Sequence, residues 1–211
     1  MAQYFEVHPE NPQPRFLRQA AQILQSGGIG AIPTDSSYAF VCRLDDKAAA
    51  ENLWRLRGFN EKTSDKHHLT LLCRDLSELA AYARVDNRQY RILKLGTPGS
   101  YTFILEATKE VPRRVSHPSR RTIGLRVPDH RVTQDLLALI EQPLLATTLI
   151  PPGESEPLND PAEIAARYDK LIQVIVDAGP CRRQATTVID MTTDEPVVLR
   201  EGRGDAAKLG L

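Results

Sequence analysis

Hydroxyls, a carboxylate and guanidinium groups gather at a few short turns of this 211-residue chain. These are the residue types that grip phosphate or carboxylate oxygens. The densest turn follows Ile29-Gly-Ala-Ile-Pro33 and holds Thr34, Asp35, Ser36, Ser37 and Tyr38. The run before it is short and apolar enough for a buried strand, and Pro33 removes the next ladder donor. The polar residues therefore fall at a strand's carboxyl end, where open α/β sheets bind ligands. From these residues alone, an Asx or Ser turn joining two strands is as good a reading as a ligand site. Similar turns recur at 97–102, including Thr102, at Arg126-Val-Pro, at Ala146-Thr-Thr148 and at Thr186-Thr187. Arg55, Arg57, Arg126 and Arg200 lie beside such segments. Any one of them reads as a surface arginine, but the set reads as a site. No Gly-x-x-x-x-Gly-Lys-[Ser/Thr] loop occurs, and no Gly-x-Gly-x-x-Gly opens a helix, so a nucleotide would be held in another way.

The elements that must position these turns alternate along the chain. Helical spacing runs from Pro14 to Gln25, closed by Gly27-Gly28. Further helices are expected from Asp45 or Asp46 to about Gly58, after Asp75, from Asp86-Asn87 to about Gly96, over 129–141, and from Asp160-Pro161 to about Tyr168. Strands are expected at 29–32, 69–73, 101–105, 122–127, 144–148, 172–176, 186–190 and 197–200. Early strands separated by helices and a late hairpin give an α/β fold: a twisted mixed sheet flanked by helices. With no Gly/Ser-rich linker or charge block, residues 1–211 read as a single domain.

Composition bounds the function. The chain is 41% hydrophobic and 26% charged, which is ordinary for a globular protein. The start Met1-Ala2-Gln3-Tyr4-Phe5 lacks a leader's basic and apolar regions, and nowhere do 18 apolar residues run together, so a cytoplasmic protein with no membrane partner is expected. Cys42, Cys73 and Cys181 are far apart and have no His at ligand spacing. Adjacent His67-His68 on a strand would face opposite ways, so no metal site is expected from protein ligands. Net charge is zero, with 27 basic and 27 acidic residues, so any nucleic-acid contact must come from a local patch. One such patch exists: Arg113, Arg114, Arg120, Arg121, Arg126 and Arg131, with Asp129 the one acid among them. Arginines can hold duplex RNA through phosphate and 2′-OH contacts, the alternative being a solvated loop with scattered salt bridges.

The order of segments resembles the YrdC/YciO family, whose best-known members make L-threonylcarbamoyladenylate for tRNA modification. Pro33-Thr-Asp-Ser-Ser-Tyr-Ala39 is similar to the family's Pro-Thr-[Glu/Asp]-Thr-x-Tyr-Gly, and Arg55-Leu-Arg57 takes the place of its Lys-x-Arg. Pro98-Gly-Ser-Tyr-Thr102 is similar to Pro-Gly-Pro-x-Thr, and Ile123-Gly-Leu-Arg-Val-Pro-Asp-His130 to the Arg-[Ile/Val]-Pro segment. Thr186-Thr-Val-Ile-Asp190 and Leu199-Arg-Glu-Gly202 resemble the closing Ser-Thr-[Val/Ile]-[Val/Ile]-Asp and Arg-x-Gly. Each motif is short, but their order and spacing are specific and cover nearly the whole chain.

The resemblance implies a YrdC-like fold and an adenylyl transfer using ATP, threonine and bicarbonate with Mg²⁺. It assigns Arg55, Arg57 and Thr148 to catalysis, and Thr34, Ser36 and Tyr38 to substrate. Arg57, Thr102, Arg126, Thr148, Thr187 and Arg200 would hold the nucleotide. It also points, as the cluster with Arg113, Arg114, Arg120 and Arg121 does by its charge, to double-stranded RNA or tRNA as a partner, so a non-catalytic RNA-binding paralogue is the alternative. Departures point to the YciO branch. Synthases carry Ser-Thr-Ser-Ala-Asn where this chain has Ala146-Thr-Thr-Leu-Ile150, so Thr148 can replace a serine but Ile150 cannot replace an amide. The family lysine is Arg55, and the usual Lys-Pro-Leu is altered to Asp65-Lys-His-His-Leu69.

Overall fold

The computed structural model describes residues 1–59 and 69–211. The altered segment Asp65 to His68 lies outside them. Ten strands form one mixed sheet: β1 (Gln3–Glu6), β2 (Gly30–Ile32), β3 (Ala39–Arg43), β4 (Thr70–Leu72), β5 (Tyr101–Glu106), β6 (Thr122–Arg126), β7 (Leu144–Thr148), β8 (Val174–Asp177), β9 (Thr187–Asp190) and β10 (Val197–Arg200). Their order across the sheet is β1-β8-β2-β3-β7-β4-β6-β5-β9-β10. The sheet is mixed as expected: β1 with β8, β8 with β2, β4 with β6 and β5 with β9 pair parallel, while β2 with β3, β3 with β7, β7 with β4, β6 with β5 and β9 with β10 pair antiparallel.

Among the described residues six helices pack on it: α1 (Pro14–Gln25), α2 (Lys47–Leu56), α3 (Leu76–Tyr82), α4 (Asn87–Gly96), α5 (Arg131–Ile140) and α6 (Pro161–Tyr168). Their starts follow local chemistry. Asp46, Asp75 and Asp160 each accept an N–H of the first turn, and Asp86 with Gln89 closes a reciprocal capping box. The α1 helix ends where Gly27 adopts φ 91° and the Gly27 and Gly28 N–H groups return to Leu24 and Ile23. One start differs from expectation. The α5 helix begins at Arg131 and not at 129, since His130 is extended (φ -145°, ψ 120°) as its N-cap, and the Asp129 N–H donates to the Asp35 carboxylate at 3.2 Å.

The alternation of strand side chains divides the core in two. Tyr38, Phe40, Leu71, Phe103, Leu125 and Ile189 pack on one face under α2, α3, α4 and α6. Ile32, Val41, Val174 and Val176 pack on the other under α1 and α5. That second roof covers only the β1-β8-β2-β3 side, with α5 reaching Leu144 and Leu72. Beyond it, no helix among the described residues covers the same face of β6, β5, β9 and β10.

Candidate functional site

The open half of the sheet is the floor of a cleft of about 380 Å³, a size suited to a small ligand. Strand parity selects its lining. Thr70 and Leu72, Thr102 and Ile104, Gly124 and Arg126, Ala146 and Thr148 are i, i+2 pairs facing one way. The floor is kept low by small residues. A Cβ at Gly124 would come within 3.1 Å of Thr70 Oγ1 and 3.2 Å of Thr102 Cγ2.

One wall is the turn between β2 and β3. Thr34 Oγ1 donates to Ser37 O (2.6 Å), lies 3.1 Å from Ser36 Oγ, and accepts from the Ser36 and Ser37 N–H groups (3.2 Å each). This is a hydroxyl-closed turn, held at its start by Thr133 Oγ1 donating to Pro33 O. Behind it, the buried Asp35 carboxylate accepts from Arg126 Nη2, Ser100 Oγ and Asp129 N. Arg126 Nη1 also donates to Ser36 Oγ at 3.1 Å. Arg126 is only 6% exposed. Burial pushes its guanidinium down from the usual arginine range, and the Asp35 charge pushes it back up. Its Nε has no partner.

A second wall is the end of α2. Gly58 takes φ 70° and closes the helix with Phe59 N–H returning to Trp54 O, which sets Arg57 and Phe59 on the cleft. Arg57 Nη1 donates to Ile150 O (2.8 Å), and its guanidinium carbon lies 5.0 Å from the Phe59 ring centre. Its Nε is buried and unpartnered, and burial pulls its pKa down. A third wall joins Thr102 Oγ1 to Thr186 Oγ1 (2.9 Å), with Arg200 Nη2 donating to Thr186 O (3.0 Å). Among the described residues the lining holds three arginines and no carboxylate, imidazole or thiol.

Thr34, Ser36, Arg57, Thr102, Arg126, Thr148 and Arg200 thus line one cleft. Three other candidates do not. Tyr38 is fully buried on the opposite face, its hydroxyl donating to Gly179 O (2.9 Å) and accepting from Ala178 N (3.2 Å), so it braces the turn from behind. Thr187 is one residue out of phase with the cleft, and its neighbour Thr186 takes the lining position. Arg55 is exposed and donates to Asn52 on its own helix (3.0 Å). Ser37, Thr70 and Phe59 line the cleft without having been singled out for ligand contact. The i, i+2 rule applied to β4 points to Thr70.

Arg113, Arg114, Arg120 and Arg121 are exposed on the β5–β6 loop. Arg114 Nη2 donates to Leu44 O (3.0 Å), just past the end of β3 away from the hydroxyl turn, so this loop lies at the far strand ends. None of the four forms an ion pair among the described residues. The other two arginines of the cluster are spent elsewhere: Arg126 on Asp35 and Arg131 on Asp135 (2.8 Å).

Residues 22–202 match the sequence model of the Sua5/YciO/YrdC family, described as telomere recombination. The chain belongs to the Sua5/YciO/YrdC family. It is 48% identical over 205 residues to the uncharacterized protein YciO of Escherichia coli K12, covering 97% of this chain and 98% of that one. The crystal structure of E. coli YciO superposes with a TM-score of 0.93 at 47% identity, over 99% of this chain and 100% of the other. Threonylcarbamoyl-AMP synthases of the family are more distant. The human enzyme is 28% identical over 183 residues, 83% of this chain but 63% of its own length. Pyrococcus abyssi Sua5, solved in complex with L-threonine, gives a TM-score of 0.85 at 26% identity over 95% of this chain and 58% of that one. Within this fold Ile150 stands where the resemblance puts an asparagine. It lines the cleft, and it meets Arg57 through its carbonyl alone.

Proposed function

We propose that the cleft binds ATP and threonine side by side and forms L-threonylcarbamoyladenylate, placing the protein in tRNA modification. The observation that carries this reading is a lining that, among the described residues, has three arginines and no carboxylate, next to a hydroxyl turn. Such a lining favours polyanionic ligands, and Arg57 and Arg200 form no ion pair among the described residues, with Arg57 Nε left without a partner. The relatives named as threonylcarbamoyl-AMP synthases, and the threonine-bound family member, support the choice of substrates.

In the proposed reaction the threonine amine and bicarbonate give an N-carboxy amino acid with loss of water. A carboxylate oxygen of that carbamate attacks the α-phosphorus of ATP, the bond to the bridging oxygen breaks, and pyrophosphate leaves. Thr34 and Ser36 orient the amino acid, and Arg57, Thr148 and Arg200 face the charge that grows on the phosphate oxygens. Arg55 would act only at the mouth. No described lining residue supplies a magnesium ligand set, and the Asp35 carboxylate is committed to Arg126 and Ser100. Magnesium would therefore enter as the companion of ATP, neutralising its phosphate charge.

The test is pyrophosphate release by purified protein given ATP, threonine, bicarbonate and Mg²⁺. Threonine-dependent release is expected; release no faster than without threonine removes the synthase reading.

A second reading, a non-catalytic protein binding double-stranded RNA, is favoured by the four exposed, unpaired arginines of the β5–β6 loop. Replacing Arg113, Arg114, Arg120 and Arg121 together by Ala should weaken duplex binding and flatten the log-affinity against log-salt slope by up to about 0.7–0.9 for each RNA phosphate no longer neutralised. ATP binding should survive. An unchanged salt slope returns these arginines to a solvated surface.

A further inference from the structure

The C-terminal segment after β10 touches the hydroxyl turn through one side chain. Residues 201–205 form a strap across the start of β9. Gly202 N–H donates to Thr187 Oγ1 (3.0 Å), Thr187 Oγ1 donates to Gly204 O, and Arg203 N–H donates to Ala185 O (2.8 Å). Tyr101 adds its hydroxyl to Asp205 O at 3.0 Å. The strap lies too close for side chains at two points, since a Cβ on Gly202 would strike the backbone of Ala185 and Thr186 and one on Gly204 would strike the Tyr101 ring. So anchored, the strap presents Arg203, whose Nη1 donates to the main-chain oxygen of Asp35, 168 positions away in sequence.

That carbonyl belongs to the same planar peptide as the Ser36 N–H. Fixing the oxygen fixes the hydrogen, and the Ser36 N–H points at Thr34 Oγ1 (3.2 Å), the atom that closes the turn. Asp35 is thus gripped at both ends: its carboxylate by Arg126, Ser100 and the Asp129 N–H, its carbonyl by Arg203. We infer that Arg203 is a positioning residue, which aims the Thr34 and Ser36 hydroxyls into the cleft by locking the Asp35–Ser36 peptide through the strap. The inference rests on the proposed assignment of the amino acid to that turn.

Two variants test it, Arg203→Met, which keeps the stem and removes the donor, and Arg203→Lys, which restores one. Amide exchange of Ser36 in the ligand-free protein should speed up about tenfold in Arg203→Met, because a hydrogen bond to a charged group is removed. It should stay near wild type in Arg203→Lys, and the Gly202 and Arg203 amides of the strap should exchange alike in all three proteins. Calorimetric titration should show L-threonine binding about tenfold more weakly to Arg203→Met, with ATP affinity within about twofold of wild type. Unchanged Ser36 exchange, equal weakening of threonine and ATP, or a lysine variant as impaired as the methionine one each overturns the inference. Wild-type protein that binds no threonine would count against the proposed function, while the exchange comparison would still decide the role of Arg203. If Arg203→Met lost cooperative unfolding, Arg203→Gln, with its shorter reach, would take its place under the same criteria.

Discussion

Two halves of one sheet face carry opposite instructions. On the β1-β8-β2-β3 side the face is Phe5, Val7, Ile32, Val41, Val174 and Val176, which bury against α1 and α5. Burial of that kind stabilises by about 1.5–3 kcal/mol for each large side chain. On the β4-β6-β5-β9 side the positions of the same parity are mostly small or polar, Thr70, Thr102, Gly124 and Thr186, with Ile104 and Val188 as isolated apolar residues among them and Leu72 already under α5. The bare half is therefore written into the strands themselves. It is the half that receives Arg57, Arg126 and Arg200.

The arginines repeat the contrast on a smaller scale. Arg126 is buried and neutralised by Asp35, whereas Arg57 is half-buried and pairs with no carboxylate among the described residues. The first is committed to the fold; in the proposed function the second meets the ligand. The sharpest way to break this distinction is Arg126→Met, which strands the Asp35 charge in the interior. Loss of one partner of a buried pair costs about 3–5 kcal/mol, so urea unfolding should show a large drop in stability. A stability within about 1 kcal/mol of wild type would mean that the pair contributes little.

A smaller effect concerns His130, the N-cap residue of α5. It faces Asp35, Arg126, Glu10 and Asp129; burial lowers its pKa from 6.5, Asp35 opposes that, and its Nδ1 has no partner. With the folded pKa below the unfolded one, the unfolded chain binds more protons, so stability is full above about pH 6.5 and falls as pH drops towards the folded value. In urea titrations His130→Gln should lose less stability than wild type on acidification through that window. Parallel curves for the two proteins would remove His130 from the pH response.

Much of this was legible in the sequence, and what was not has physical reasons. The bounds of α1 and the starts of α2, α3, α4 and α6 follow from apolar spacing and from Asp caps that act within four residues. Strand β1 was missed because it is an edge strand with one buried residue in four, and β3 because its apolar run follows the hydroxyl turn with no break to announce it. The turn at Thr34 was legible as a concentration of hydroxyls. The Asp35–Arg126 pair spans 91 positions, and nothing local marks it. Tyr38 and Thr187 show the cost of a single-residue phase error, since neighbours along an extended chain face opposite sides.

The central claim is that the open half of the sheet holds a nucleotide whose phosphates meet Arg57. Calorimetric titration of Mg·ATP into wild-type protein and into Arg57→Ala tests it most directly, with urea unfolding as the control for folding. The account predicts that ATP binds the wild type and that the variant binds it more weakly by about 1.5–3 kcal/mol, the range for a hydrogen bond to a charged group. Equal affinities, or no heat from the wild type, would contradict it.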